Sequence, residues 1–134
     1  MAGYSGAPLA KKLGLKHGHR VALRAAPAGF HELLGPLPPD IHWAATLAAP
    51  LDCIILFASD SAAMNRELRQ AADALAPAGM LWIAWPKQAA RVATDLTSAT
   101  VREAGLATGL VDVKVCAVTD IWSGLKFVRR LKDR

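Results

Sequence analysis

Six residues in the second half of the sequence have the types and spacing to build a binding crevice: Trp85, Lys87, Asp95, Asp120, Trp122 and Ser123. All fall where strands are expected to end, and ligands of open α/β sheets bind beyond the carboxyl ends of the strands. A lysine and two carboxylates roofed by two indoles would hold a small anionic or planar ligand. Four of them also have a purely structural use: Asp95 as a helix cap, Asp120 and Ser123 as turn formers, Trp85 as the end of a buried strand. No nucleophile with an adjacent base joins them. Ser5, Ser59, Ser61, Ser98 and Ser123 lack a G-x-S-x-G context, and Cys53 and Cys116 sit inside apolar runs. His17 and His19 form an H-x-H pair to which His31 or His42 could add a third ligand, but no cysteine or carboxylate stands at metal-site spacing. A solvated loop is the simpler reading, and no metal is expected.

The signatures of a nucleotide cofactor are missing. Such a site needs a glycine-rich turn after the first strand, where backbone N–H groups meet phosphate or the main chain lets an adenosyl group approach. The corresponding "RAAPAGF" holds a single glycine, Gly29, and no two glycines of the chain are separated by one residue. A P-loop is absent as well. The acid that would take the ribose hydroxyls at the end of the second strand is replaced by Thr46, Leu47 and alanines. No cofactor is expected.

The elements that must position these residues alternate. A short helix from Pro8 to Leu13 stops at Gly14, "RVALRA" from Arg20 reads as a strand, and "GFHELLG" as a brief helix. "IHWAAT" is a short second strand. "LDCIILFA" is a third, apolar without alternation as a parallel strand covered on both faces should be. Met64, Leu68, Ala72 and Leu75 then recur at helical spacing, with Arg66, Glu67, Arg69, Gln70 and Asp73 on the other face and Ser59, Asp60 or Ser61 as the cap. Pro77 and Gly79 are expected to close that helix before a fourth strand, Met80 to Trp85. Thr97 opens another helix, to about Ala107. In "LVDVKVCAV" strict alternation puts Val111, Val113, Val115 and Ala117 on one face and Asp112, Lys114 and Cys116 on the other, and "LKFVRR" returns as the second arm of a hairpin.

A parallel series ending in an antiparallel hairpin predicts one three-layer α/β domain spanning residues 1–134, with a mostly parallel, Rossmann-like sheet of about six strands. "YSGAPLAKKLGLKHGHRVAL", "LAPAGMLWIAWPK" and the final stretch through "WSGLKFVRR" resemble a family of small bacterial α/β proteins without an established activity. The resemblance spans nearly the whole chain and implies a truncated methyltransferase-like sheet, in strand order 2-1-3-4-6-5 with the sixth strand antiparallel. It implies no catalytic residue. Residues 25 to 50 leave little room for the elements of a cofactor-binding half.

With 134 residues, 53% of them hydrophobic, the chain is long enough for one core. The longest apolar run, "AGMLWIAW", is far short of the ~20 residues of a membrane span, and the first residues lack the pattern of a signal peptide. A cytoplasmic protein is expected. Of the net charge of +5, much is carried by the ends. Lys11, Lys12, Arg129 and Arg130 are expected to gather below the sheet as one basic patch, fit for a polyanion or an acidic protein. Basic ends that only keep the chain soluble are the simpler reading. The preferred function is a non-catalytic ligand-binding or interaction module. The alternatives are a small-molecule enzyme, including an atypical S-adenosylmethionine-dependent methyltransferase, and a nucleic-acid-associated protein.

Overall fold

The structure, a computed structural model, describes residues 8–134. Its elements follow in the order α1 (Leu9–Leu13), β1 (Arg20–Arg24), α2 (Phe30–Leu33), β2 (His42–Ala44), β3 (Leu51–Phe57), α3 (Ser61–Ala74), β4 (Leu75–Pro86), α4 (Ser98–Ala107), β5 (Leu110–Ala117) and β6 (Trp122–Arg129). The six strands form one sheet in the order β2-β1-β3-β4-β6-β5. The first four run parallel, and β6 is antiparallel to both neighbours, β4 and β5. This is the expected mixed α/β sheet closed by a hairpin.

Two layers of helix cover the sheet. On one face α3 and α4 bury Met64, Leu68, Ala71 and Val101 against Ile54, Leu56, Leu81, Ile83 and Phe127. On the other, the short α1 and α2 bring Leu13, Phe30 and Leu34 onto Val21, Ile55, Phe57 and Trp82. The central strands β3 and β4 therefore carry apolar residues at successive positions, because both of their faces are dry. Trp82, fully buried, satisfies its one donor by giving Nε1–H to the Leu13 carbonyl at 2.9 Å, which ties α1 to the middle of the sheet. The two long helices are capped from the sequence as the polar residues before them predict: Asp60 Oδ1 accepts from Ala63 N, and Thr97 forms a reciprocal capping box with Thr100.

Two expectations need correction. The first concerns the start of β4. Helix α3 ends at Ala74, and Leu75 is already extended and paired with Leu51, so Pro77 and Gly79 lie inside the strand instead of closing the helix. The register slips between Leu51 and Cys53, and the two backbones come so close that a Cβ on Gly79 would stand 2.7 Å from the Leu51 carbonyl oxygen. Glycine is needed there for space.

The second correction concerns the hairpin. Val111 pairs with Val128 and Asp112 with Phe127, but Lys114, not Val113, pairs with Lys126. Val113 is the extra residue of a bulge, which moves every later side chain of β5 to the other face. Val111, Lys114 and Cys116 share one face, and Asp112 and Val115 the other. Strict alternation had separated Val111 from Lys114. The second arm begins before the expected "LKFVRR": Trp122 and Ser123, the latter expected as a turn former, belong to β6, and Ser123 pairs with Trp85 on one side and Ala117 on the other.

Candidate functional site

The strand order reverses between β1 and β3, so the crevice beyond their carboxyl ends is where an open sheet of this kind presents a ligand site. Here that position is flanked by an ion pair on one face of the sheet and an aromatic cluster on the other. Arg24, the last residue of β1, pairs through Nε with Glu67 Oε1 of α3, and its Nη1 lies 3.5 Å from the Ala45 carbonyl oxygen just past β2. On the opposite face Phe30, 1% exposed, packs edge-on against Phe57 at 4.9 Å, and Phe57 packs in turn against Trp122 at 5.1 Å. The turn between β1 and α2 carries Ala25 at φ 57° and Gly29 at φ 82°. It leads into a helix of four residues, too short to aim a set of aligned N–H groups at a phosphate.

The six crevice candidates do not converge on one cavity. Trp85 is 6% exposed and packs on the α3/α4 face, whereas Trp122 packs on the α1/α2 face, so the sheet lies between the two indoles. Asp95 is committed to the start of α3, where its carboxylate accepts from Ser61 N at 2.8 Å and Ser61 Oγ at 2.7 Å. These bonds, the hydroxyl's first and the backbone N–H second, hold its carboxyl below the ordinary aspartate value. Asp95 thus caps α3 and not the helix that follows it in sequence. Lys87 is brought beside the hairpin tip, because its backbone N–H donates to the Ile121 carbonyl at 2.7 Å. Asp120 is exposed at that tip, whose turn is held by Thr119 Oγ1 accepting from the Ile121 and Trp122 N–H groups. Ser123 is half-buried in β6. Among the described residues no hydrogen bond or ion pair joins Lys87, Asp95 and Asp120.

The expected basic patch is likewise divided. Lys12 reaches the Ala117 carbonyl at 3.5 Å, at the carboxyl end of β5. Arg129 crosses to the other face and caps the end of α3, its Nη2 donating to the carbonyls of Ala72 at 3.1 Å and Leu75 at 2.7 Å. A guanidinium at a helix C-terminus is well placed electrostatically, and this one serves the fold. Lys11 and Arg130 are exposed. Arg129 therefore does not share a face with Lys12, because the pairing of β6 turns its side chain toward α3.

The histidines disperse too. His17 Nε2 lies 2.8 Å from Asp40 Oδ2, His19 Nδ1 accepts from Lys16 N, and His31 packs against Trp43 at 4.6 Å. Among the described residues no three His, Cys, Asp or Glu side chains are grouped to hold a metal. Both cysteines are free thiols. Two shallow depressions, of about 340 and 470 Å³, indent the surface. The smaller is lined by Arg20, His42, Trp43 and Ala44, the larger by residues that include Leu47, Arg66 and Arg69. No helix of the described residues is long and apolar enough to cross a membrane.

Arg24 and Glu67 were legible only as a charge at a strand end and a charge on the polar face of a helix. Nothing in their spacing announces that they meet.

No family model and no curated protein matches the chain. Solved structures do. A TehB-like S-adenosylmethionine-dependent methyltransferase from Corynebacterium glutamicum superposes with a TM-score of 0.58 at 11% identity, covering 91% of this chain and 85% of that one. The N-methyltransferase NodS from Bradyrhizobium japonicum gives a TM-score of 0.55 at 19% identity, with 89% of both chains covered. The O-methyltransferase NcsB1 of neocarzinostatin biosynthesis, in complex with S-adenosylmethionine and 2-hydroxy-5-methyl naphthoic acid, gives 0.61 at 14% identity over 84% of this chain and 49% of that one. The fold is that of the Rossmann-like methyltransferases.

Proposed function

We propose that this chain is a non-catalytic binding or interaction module, one cytoplasmic domain on a methyltransferase-like fold that does not use S-adenosylmethionine. The observation that carries the reading is the make-up of the switch point. Beside it Arg24 is held by Glu67 on one face and Phe30 is buried against Phe57 on the other. The turn after β1 holds a single glycine, Gly29, and leads into a helix of four residues, and no acid stands at the end of β2 to take a ribose. The likeness of the "LAPAGMLWIAWPK" and "WSGLKFVRR" stretches to small bacterial α/β proteins without an established activity agrees with this reading. The place it leaves for a small anionic or planar ligand is the edge around Lys87 and the tip Val118–Ile121, which share a backbone hydrogen bond.

A second reading, an atypical S-adenosylmethionine-dependent methyltransferase, is favoured by one observation: several of the structural neighbours are methyltransferases, among them one bound to the cofactor and a planar naphthoic acid. Fold alone does not carry function across such low identities. Calorimetric titration with S-adenosylmethionine and S-adenosylhomocysteine separates the two. The module reading predicts no heat of binding at micromolar concentrations, and a stoichiometric heat would replace it with the enzyme reading.

A further inference from the structure

The α1/α2 face of the sheet carries charge that the fold does not use. Across three neighbouring strands the register aligns Trp82 of β4, Lys126 of β6 and Lys114 of β5, so the two lysines stand directly opposite each other on one face. Like charges in that relation are destabilising. The bulge at Val113 creates the pairing: without the extra residue, Lys114 would point to the α3/α4 face and a valine would lie opposite Lys126. Lys16 approaches from the loop after α1, which is tied to the same place by the Trp82–Leu13 hydrogen bond.

Burial first, and then the charges of Lys114 and Lys16, hold the Lys126 ammonium below the ordinary lysine value. Among the described residues no carboxylate forms an ion pair with Lys16, Lys114 or Lys126. The nearby acids are engaged elsewhere. Asp112 is turned to the opposite face and paired with Arg102 at 2.9 Å, and Asp52 accepts from Arg20 N at 2.8 Å.

We propose that the surface on the α1/α2 side of the sheet formed by Lys114 and Lys126 of the hairpin and Lys16 of the loop after α1 docks the phosphate backbone of double-stranded nucleic acid. This deepens the module reading by naming a partner class. Four arginines, Arg24, Arg69, Arg102 and Arg129, have carboxylate or carbonyl partners within the chain, whereas these three lysines present only point charges. Such charges suit phosphates read without sequence. The nearby Trp82 is fully buried and Trp122 packs on Phe57, so the cluster offers unpaired bases no stacking platform of the kind single-strand binders use.

The test is fluorescence anisotropy of a short labelled DNA duplex titrated with the full chain at about 50 and 200 mM salt, where released counterions make phosphate binding strongly salt-dependent. The proposal predicts binding at the lower salt, weakened about tenfold or more at the higher. The variant Lys16→Ala/Lys114→Ala/Lys126→Ala should lose about tenfold at the lower salt and lower the salt slope by about 2 to 3, one step for each phosphate contact removed. The charge-matched variant Arg66→Ala/Arg69→Ala/Arg91→Ala, changed at exposed positions elsewhere, should bind within about threefold of the parent. Should removal of the half-buried Lys126 impair folding, Lys16→Glu/Lys114→Glu, both at exposed sites, gives the same readout. Equal losses in the two triple variants, no binding at the lower salt, or tighter binding to polyglutamate than to the duplex would each overturn the proposal. Calorimetry with S-adenosylmethionine is independent of this result, so failure of the docking surface and failure of the module reading are distinguishable.

Discussion

Gly105 of α4 lies against the ring of Phe127, so close that a Cβ on residue 105 would overlap the ring. The contact fixes how near α4 sits to the hairpin, and beside the buried Val101 the helix approaches β6 at the residue that has no side chain. In a free helix Gly→Ala stabilises by about 1 kcal/mol. Here the ring is fully buried and a Cβ would overlap it, so Gly105→Ala should instead cost about 1 to 3 kcal/mol, as overpacking does. Urea denaturation reads the sign directly: a lower midpoint for the variant is expected, and a higher one would mean that α4 is not seated on β6.

The Asp95–Ser61 tie gives stability a defined pH dependence. Hydrogen bonds from Ser61 lower the Asp95 carboxyl below its ordinary value, and the Arg102 bond does the same for Asp112. Groups with depressed folded values contribute stability that is fully present above the unfolded value of about 3.9 and is lost as pH falls through the folded value. Stability measured by denaturant should therefore be flat near neutrality and decline below about pH 4, with a shallower decline in Asp95→Asn and Asp112→Asn. Parallel acid limbs in parent and variants would show that these carboxylates are not engaged as described.

The two thiols should be chemically distinct. Burial pushes the Cys53 thiol up to about 12, with the nearby Lys126 ammonium opposing the shift and Asp52 reinforcing it. Thiolate is the reactive form. An alkylating reagent at pH 8 should modify only the half-buried Cys116 in the native protein, and Cys53 only after unfolding. Mass spectrometry of the native reaction checks this, and rapid double modification would contradict the buried placement of β3.

What the sequence showed of this molecule was its periodicity. The unbroken apolar runs of β3 and β4, the 3.6-residue stripe of α3 and the polar caps at Asp60 and Thr97 were each visible because a single local rule governs them. The bulge at Val113 was invisible, since it depends on which partner β5 meets, and one extra residue reverses the meaning of every alternation after it. Gly79 was visible as a glycine but not as the point where two backbones touch. The candidate site suffered most. Asp95 and Ser61 are 34 residues apart in sequence, Arg24 and Glu67 are 43 apart, and only the folded crossovers bring them together. Trp85 and Trp122 pointed to one crevice from the sequence, yet the sheet separates them.

The central claim is that the switch point beyond β1 and β3 takes no adenosyl cofactor. The most direct measurement is a nitrogen-resolved NMR titration of the full chain with S-adenosylhomocysteine, following the backbone amides of Ala25, Ala26, Ala28, Gly29 and Phe30 and the side-chain Nε of Arg24. The account predicts that these resonances stay in place up to millimolar ligand, with the Arg24 signal keeping the signature of its Glu67 partner. Saturable shifts concentrated at Ala25 to Phe30, together with loss of the Arg24–Glu67 signature, would show that the crevice opens for the cofactor and would contradict it.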